Sequence, residues 1–334
     1  RGLGDVYKRQ ELEEGEVAPA TVLVLYGDTP IVRAETLRTL LANHERDAAT
    51  LTFLTAIAGH DTDYGRVLRD GAGRVASIVE VKHATEAQRA IAEVNSGIYC
   101  FDAAWLWSRL DALEPHENGE FYLTDLIGVA VREGRTVSTH TGPLDETMGV
   151  NDRVALAEAE RILRARLLRD LMLAGVTVED PASTYIEAGV RVGQDSVLRP
   201  GTILRGATVI GARCEIGPHS VIRDSRVGDD CAVLASWVEE ATLEARVQVG
   251  PMSHVRPGTY LCSGARLGNY AEVKNAVIGP DVQMHHFSYL GDATVGARAN
   301  IAAGTITANF APDGTKRHTE IGADAFIGCD TICL

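Results

Sequence analysis

An aliphatic side chain that recurs at every sixth position is the feature that most constrains the fold of this chain. The series begins at Ile186, Val192, Leu198, Leu204, Ile210, Ile216 and Ile222, slips, and resumes at Val227, Val233, Val249, Val255, Leu261, Leu267, Val273, Ile278, Met284, Leu290, Val295, Ile301, Ile321 and Ile327. This period fits neither an α-helix nor a single β-strand. It predicts a parallel β-helix of hexapeptide repeats, in which each repeat supplies one short strand and one turn.

Glycine directly follows many of these aliphatic residues, as in Ile210-Gly211, Ile216-Gly217 and Ile327-Gly328. We expect glycine where a turn needs a positive φ, or where the neighbouring coil leaves no room for a side chain. One coil cannot bury its own apolar face, so the array is expected to be stable only as a stack.

The first half of the chain mixes predicted strands with predicted helices. The continuous apolar run at 22–26 and the segment 94–101 are expected to be strands, and Leu37, Leu40 and Leu41 share one face of a helix between them. This order indicates an open α/β sheet, and the apolar run is typical of a parallel one. Asp28 follows the first strand, at the edge where such sheets bind ligands. Residues 152–174 predict one long helix that Gly175 ends.

Composition narrows the classes of partner. The formal net charge of −14 disfavours nucleic acid and anionic membranes. The sequence shows neither an apolar run of about 18 residues nor a signal peptide, so we expect a cytoplasmic protein. The six cysteines lack any C-x-x-C spacing and are expected to be reduced.

Several short blocks occur in a fixed order: LYGDTP, DYGRVLRD, IVEVKHAT, VNSGIYCF, NGEFYLTDL, MGVNDR, VRPGTYL, LGNYAEVKNA and HHFSYLGDA. From about residue 22 to 334 the chain resembles the bacterial bifunctional family of N-acetylglucosamine-1-phosphate uridyltransferase / glucosamine-1-phosphate N-acetyltransferase. The resemblance implies an α/β nucleotidyltransferase-like (Rossmann-like) domain, partial here, followed by a left-handed parallel β-helix that forms a homotrimer. Such an enzyme makes UDP-N-acetylglucosamine.

The resemblance also implies domain boundaries. We expect a partial uridyltransferase domain at 11–153, a linker helix at 154–174 and the acetyltransferase β-helix at 175–334. Residues 1–10 are expected to be a non-native scar, because DVYKRQ can be back-translated as a sequencing adaptor. The family's opening Gly-rich loop and its last coils have no counterpart here, so we expect an incomplete uridyltransferase site.

For the β-helix, the resemblance implies an acetyl-CoA-dependent site that acts on glucosamine 1-phosphate. His286 matches the general base, for which an imidazole is suited near neutral pH. The matched substrate-binding residues are Arg256, Lys274, Tyr289 and Asn300. The matched acetyl-CoA contacts are Ala303, Asn309, Phe310 and Cys329, the last of which is usually Ser in the family. From spacing alone, Glu272 is expected to orient His286, and Lys316 to add a second phosphate contact.

For the first domain, the resemblance implies uridylyl transfer from UTP to N-acetylglucosamine 1-phosphate with Mg²⁺. Asp28 and Asn151 match the metal ligands, since carboxylate and amide oxygens suit a hard cation. The matched UDP-N-acetylglucosamine-binding residues are Tyr26, Gly27, Asp28, Gly65, Glu80, Asn95 and Asn151.

Three other interpretations remain open from the residues. The chain could be a hexapeptide acyltransferase that uses succinyl-CoA or another donor. It could also be a sugar-nucleotide-binding protein without turnover. Finally, His254, His285 and His286 could bind a metal ion, although adjacent histidines on a strand would point to opposite faces.

Overall fold

The computed structural model describes residues 20–59, 62–116, 119 and 121–334. The chain divides into two compact units, of which the first ends at Glu160 and the second is Arg161–Leu334. The expected domain boundaries remain a prediction, and the suspected scar at 1–10 lies outside the described residues. No helix in the described ranges is long and apolar enough to cross a membrane.

The described part of the first unit contains six strands and the helices that cover them. The strands are β1 (Thr21–Val24), β2 (Leu51–Ile57), β3 (Arg66–Arg69), β4 (Val75–Val79), β5 (Glu93–Asp102) and β6 (Val137–Thr141). The α-helices are α1 (Ala34–Arg46), α2 (Glu86–Arg89), α3 (Ala103–Leu110) and α4 (Asp125–Arg132). Short 3₁₀ turns lie at Val81–His83 and Leu144–Glu146.

The six strands form one mixed sheet in the order β4-β3-β5-β2-β6, and β1 also pairs with β5. Only the β2–β6 pair is parallel, whereas β5 runs antiparallel to β1, β2 and β3. The apolar run, although typical of a parallel sheet, therefore lies here in an antiparallel pair. The apolar run arises because the sheet is covered on both faces, which requires apolar residues whatever the strand direction.

Alternate residues of β5 show the two covered faces. Ile98 and Cys100 pack with Leu40 of α1, whereas Tyr99 and Phe101 pack with side chains of α3 and α4. The predicted α/β layering is thus confirmed, with helices on both sides of the sheet.

The long helix α5 occupies Arg153–Leu173, close to its predicted bounds. Asp152 caps its start by accepting a hydrogen bond from the Ala155 amide at 2.7 Å. At its end, Gly175 has φ +94° and donates to the Met172 carbonyl, while Val176 donates to the Leu171 carbonyl. This pair of bonds is the Schellman arrangement and confirms the predicted glycine cap.

The second unit continues as a left-handed β-helix with three parallel walls. The first wall contains Thr177–Val178, Val197–Leu198, Glu215–Ile216, Ala232–Val233, Gln248–Val249, Arg266–Leu267, Gln283–Met284, Asn300–Ile301 and Phe326–Ile327. The second wall contains Tyr185–Ile186, Ile203–Arg205, Val221–Arg223, Trp237–Glu239, His254–Val255, Ala271–Lys274, Ser288–Gly291, Ile306–Thr307 and Ile332–Cys333. The third wall contains Arg191–Val192, Val209–Ile210, Arg226–Val227, Thr242–Leu243, Tyr260–Leu261, Val277–Ile278, Ala293–Val295 and Thr319–Ile321.

The predicted aliphatic series lines the interior of this prism. All its members lie in or against one continuous core. The prediction missed Val238 and Leu243, which are also buried in that core, because the spacing shortens around them. It also missed Thr307, which is buried and bonds its hydroxyl to the Gly291 backbone instead of packing as an aliphatic residue.

The glycines that follow the aliphatic residues are required by the close approach of neighbouring coils more than by a positive φ in the turn. A Cβ on Gly211 would lie 2.6 Å from the backbone carbon of Gly228 on the next coil, and Gly211 has no positive φ. The left-handed positions between the first and third walls are instead filled mainly by charged residues, among them Asp195, Arg213, Asp230, Arg246, Asp281, Arg298 and Asp324. Opposite charges alternate there, and Arg213 binds both carboxylate oxygens of Asp230 at 2.7 and 2.8 Å.

All six cysteines are free thiols, as expected. Cys100, Cys214 and Cys231 are buried, whereas Cys329 is exposed.

We predict that Leu267→Ala lowers the free energy of unfolding of the β-helix by about 2–5 kcal/mol, because Leu267 is 1% exposed and its loss leaves a cavity in the stack. The neighbouring Arg266→Ala is the matched control, since that side chain is exposed, and it should change stability by less than about 0.5 kcal/mol. Urea unfolding followed by circular dichroism measures both. Equal losses for the two variants would contradict the inward assignment.

Candidate functional site

One cleft in the first unit gathers the residues that the sequence singled out there. It has a volume of about 870 Å³, and its walls include Tyr26, Asp28, Gly65, Glu80, Asn95 and Asn151. Gly27 lies in an adjoining cleft together with Tyr26, Asp28 and Glu80. The structure therefore brings all seven predicted residues together.

The two expected metal ligands both lie beside Gly149. The Asp28 Oδ2 atom and the Asn151 side-chain nitrogen each lie 3.7 Å from the point that a Cβ on Gly149 would occupy. The Val150 amide donates to the Asp28 carbonyl at 2.7 Å, which holds the two segments together. The buried Glu146 carboxylate anchors the same loop by accepting hydrogen bonds from Thr36 and the Arg33 amide.

This donor set fits a hard divalent cation with an incomplete protein shell. Among the described residues, no three His, Cys, Asp or Glu side chains lie close enough to hold a metal ion. A carboxylate and an amide oxygen from Asp28 and Asn151 would leave the remaining positions to water and substrate oxygens, as is usual for Mg²⁺.

Tyr99 lies behind this cleft, bonded to Asn95 of its wall, and the sequence analysis missed it. It is fully buried, and its hydroxyl accepts a hydrogen bond from the Asn95 Nδ2 atom at 2.7 Å. Burial raises the pKa of Tyr99 well above its usual range, so the phenol stays protonated. The alternation of Asn95, Gly97 and Tyr99 along β5 places the three on one face of the sheet, and that pattern was the available signal.

The rim of the cleft depends on close packing at Gly65 and Gly97. The Glu80 Oε1 atom lies 3.4 Å from the point that a Cβ on Gly65 would occupy. A Cβ on Gly97, which has φ +80°, would collide with the Tyr26 ring. Behind this rim the fully buried Arg66 guanidinium donates to the carbonyls of Thr62 and Tyr64, and so fixes the loop that carries Gly65.

In the β-helix, the second wall presents three of the predicted residues on successive coils. Tyr289 lies directly above Glu272, and Lys274 lies directly below Gly291. Arg256 follows the strand one coil earlier, and its side chain is 35% exposed. A Cβ on Gly291 would collide with the Tyr289 hydroxyl, so this glycine allows the phenol to lie across the wall. Asn309 donates to that hydroxyl at 3.4 Å.

The corner between the first and second walls carries another predicted set in register. Because Met284, Ile301 and Ile327 are aligned, His286, Ala303 and Cys329, each two residues further on, occupy equivalent corner positions on successive coils. His286 is exposed and accepts or donates no hydrogen bond within the described chain. Asn300 is exposed on the first wall beside this corner, and Phe310 is 69% exposed in the loop after the second wall.

Two expectations about this region were wrong. Glu272 does not orient His286, because its carboxylate accepts a hydrogen bond from the Arg256 guanidinium at 2.6 Å on the adjacent coil. His285 and His286 do not lie on a strand with alternating faces, since both are exposed in a turn. His254, the third histidine of the metal interpretation, is bonded to Glu239 at 3.0 Å on the second wall.

A loop after the second wall brings Lys316 to the same site. Phe310 and Lys316 form an antiparallel bridge, and the Arg317 amide donates to the Asn309 carbonyl at 2.8 Å. Contact with the Lys316 ammonium holds the pKa of Lys274 below its ordinary value; Arg256 adds to this effect and Asp292 opposes it. Several cations that share one place form an attractive site for an anion.

Comparison with known proteins agrees with this architecture. Residues 6–143 match the nucleotidyl transferase family, and residues 189–224 match the bacterial transferase hexapeptide family of six repeats. The bifunctional protein GlmU of a Geobacillus species is 45% identical over 92% of this chain and 67% of its own length. The protein of the same name from an Exiguobacterium species is 45% identical over 98% of this chain and 73% of its own length.

The chain belongs to the GlmU family. The GlmU protein of Pelobacter propionicus is 46% identical over 93% of this chain and 68% of its own length. The chain therefore spans 67–73% of the length of these three GlmU relatives. The nucleotidyl transferase match falls in the first structural unit, and the hexapeptide match falls in the second.

We predict that Lys316→Met raises the pKa of Lys274 toward its ordinary value, because the substitution removes the neighbouring ammonium. Inorganic phosphate should raise the pKa of Lys274 in the parent protein, and its affinity should fall as pH rises through that pKa. The chain has four lysines, Lys8, Lys82, Lys274 and Lys316, so ¹³C NMR of reductively methylated protein resolves each one. Arg317→Met in the same loop is the control. A pKa of Lys274 that does not change in Lys316→Met would refute the cation pair.

Proposed function

We propose that the two sites described above carry the two activities of this family. The chain is an enzyme of UDP-N-acetylglucosamine biosynthesis with a nucleotidyltransferase domain and a hexapeptide acetyltransferase domain. The β-helix site would transfer the acetyl group of acetyl-CoA to the 2-amine of glucosamine 1-phosphate. The cleft of the first unit would join N-acetylglucosamine 1-phosphate to the uridylyl group of UTP.

The observation that carries the acetyl-transfer proposal is the convergence of Arg256, Lys274 and Tyr289 on one wall, beside the corner that holds His286. The guanidinium and the ammonium would bind the sugar phosphate, with Lys316 as a further cation. Tyr289 and Asn300 would contact the sugar. Ala303, Asn309, Phe310 and Cys329 would line the path of the coenzyme, and the exposed Cys329 thiol would stand where relatives have a hydroxyl.

The chemistry requires a proton acceptor for the attacking amine. The amine nitrogen attacks the thioester carbon, and His286 takes the proton that the nitrogen loses as the N–C bond forms. The C–S bond then breaks, and the sulfur of coenzyme A receives that proton from His286. Because His286 has no bonding partner in the described chain, both ring nitrogens remain available for this exchange.

In the first unit we propose that Asp28 and Asn151 hold Mg²⁺, which supplies charge neutralisation to phosphate oxygens when it is bound. Gly65, Glu80 and Asn95 would bind the N-acetylglucosamine portion, with Asn95 oriented by Tyr99. Tyr26 and Gly27 would lie on the nucleotide side. The shared cleft, and the position of both side chains beside Gly149, support this assignment.

We also propose a homotrimer. The second wall leaves large apolar side chains exposed, among them Trp237 at 49%, Ile306 at 43% and Ile332 at 61%. A neighbouring copy that covers this wall would also close a cleft over the exposed His286. We further propose a cytoplasmic location, where acetyl-CoA and UTP are available.

We predict that His286→Asn lowers kcat for acetyl transfer by about a hundredfold or more, because it removes the general base. The neighbouring His285→Asn is a matched control, since His285 is equally exposed in the same turn, and it should retain the parent rate. Release of the coenzyme A thiol in the presence of glucosamine 1-phosphate measures both. Succinyl-CoA should be a much poorer donor.

Equal rates for the parent and His286→Asn would remove His286 from the mechanism. A preference for succinyl-CoA would favour the other acyltransferase class. Tight binding of UDP-N-acetylglucosamine by a protein that turns over neither substrate would favour a binding protein.

For the first unit we predict that Asp28→Asn weakens Mn²⁺ binding by about tenfold or more in the presence of UDP-N-acetylglucosamine. Mn²⁺ accepts the same oxygen ligands as Mg²⁺ and is read directly by electron paramagnetic resonance. Glu35→Gln removes one exposed carboxylate outside the cleft and should leave the affinity unchanged. An unchanged affinity in Asp28→Asn would exclude this carboxylate as a ligand.

A further inference from the structure

A hydrogen-bonded ladder of three side chains runs along the corner between the second and third walls. Asn275, Asp292 and Asn309 each lie two residues after an aligned position of the second wall, Val273, Leu290 and Thr307. Asp292 is 6% exposed, and it accepts a hydrogen bond from the Asn275 amide at 2.5 Å and another from the Asn309 amide at 2.5 Å. Its backbone also bonds Lys274 and Thr319, at 3.0 Å each.

A carboxylate can only accept hydrogen bonds, so Asp292 decides which end of the Asn309 amide turns toward it. The Asn309 Nδ2 atom donates to Asp292 at 2.5 Å and to the Tyr289 hydroxyl at 3.4 Å. Both of its hydrogens are thereby occupied. The Asn309 Oδ1 atom accepts no hydrogen bond within the described chain, and this acceptor is the end of the amide that a ligand can use.

We propose that Asp292 is a positioning residue of the acetyl-transfer site, which orients Asn309 so that its carbonyl oxygen accepts an N–H from the attacking amine. The proposal rests on the proposed function of the β-helix site and deepens it. It differs from a role for Asn309 as a donor to the thioester oxyanion, because the donor end of the amide is already bonded.

The chemistry gives such an acceptor a clear use. The amine nitrogen must aim its lone pair at the thioester carbon, and an acceptor that holds one N–H restricts its rotation. The bonds that form and break, and the passage of the proton through His286, are unchanged. Asn309 itself neither gains nor loses a proton.

The charge of Asp292 is maintained by its surroundings. Burial alone would raise the pKa of Asp292, but the hydrogen bonds from Asn275 and Asn309 and the charges of Lys316 and Lys274 together outweigh it. The net result is a lowered pKa, so the group remains an acceptor at neutral pH. The Asp292 carboxylate thus accepts hydrogen bonds from the two asparagine amides and also interacts with the charges of Lys274 and Lys316.

The test exchanges the acceptor and the donor between two neighbouring coils. Asp292→Asn offers one acceptor oxygen to two donors, and Asn309→Asp sets two carboxylates against each other. In the double variant every bond can be remade, because Asn275 can donate to the new amide oxygen and the new amide can donate to the new carboxylate. The net charge of the double variant equals that of the parent.

We expect each single variant to lower kcat/KM for acetyl transfer by about tenfold to a hundredfold, mainly through kcat. The double variant should recover to within about threefold of the parent, because an acceptor oxygen at position 309 again faces the amine. Asp224→Asn is the matched control. Asp224 has the same left-handed backbone at the same corner, with φ +47° against +49° for Asp292. Within the described chain its carboxylate accepts a hydrogen bond only from the Ala207 amide.

Three results would overturn the proposal. The first is a parent-like rate in Asp292→Asn. The second is a double variant that unfolds at the parent temperature but stays as slow as the singles, since a carboxylate at 309 cannot replace a donor. The third is a crystal structure of Asp292→Asn in which the Asn309 amide keeps its place and orientation. If Asp292→Asn does not fold, the double variant decides.

The same experiments distinguish the proposed acetyl-transfer function from the proposed positioning role of Asp292. A parent protein that transfers no acetyl group to glucosamine 1-phosphate would refute the proposed function. The crystal structures of Asp292→Asn and of the double variant would still show whether Asp292 sets the orientation of Asn309.

Discussion

The stacking of each coil in register on the next is the constraint on which the β-helix and its site depend. Backbone amides of one coil donate to carbonyls of the next along all three walls. The coils approach so closely that a Cβ on Gly268 would collide with the His285 carbonyl. Side chains are consequently positioned by their alignment across coils. His286 is aligned with Ala303 and Cys329 in this way, and Asp292 is hydrogen-bonded to Asn275 and Asn309.

The sequence predicted the structural features that depend on residue period and composition. It did not predict the contacts that depend on how residues of neighbouring coils are aligned. Buried aliphatic positions repeat, so most core residues between Leu198 and Ile301 could be assigned from spacing alone. The hydrogen-bond partner of Glu272 could not be predicted, because it depends on which residue of the neighbouring coil lies beside Glu272. That residue is Arg256. Asp292 escaped notice for the same reason. It follows Gly291 in an ordinary turn sequence, and its role appears only when the coils are stacked.

In the first unit as well, the sequence predicted some features and missed others. The strands at 22–26 and 94–101 and the helix around Leu40 were found from apolar runs and helical period. The direction of the strands was not found, because an apolar run indicates only that a strand is buried on both faces of the sheet. Parallel and antiparallel strands can both be buried in this way. The meeting of Asp28 with Asn151 was implied by family resemblance, and the backbone bond from Val150 to Asp28 supplies its physical cause.

Both candidate sites fix the orientation of a side-chain amide by hydrogen bonds within the protein. Asn95 has its nitrogen on the Tyr99 hydroxyl and its oxygen on the Gly97 amide, whereas Asn309 has its nitrogen on Asp292 and Tyr289. A free amide can rotate to offer either a donor or an acceptor, and so discriminates poorly between ligands. An amide held by a buried carboxylate offers only its oxygen. The formal net charge is −14, yet the carboxylates beside Arg256 and Lys274 are each engaged by donors of the protein itself, Glu272 by Arg256 and Asp292 by two amides.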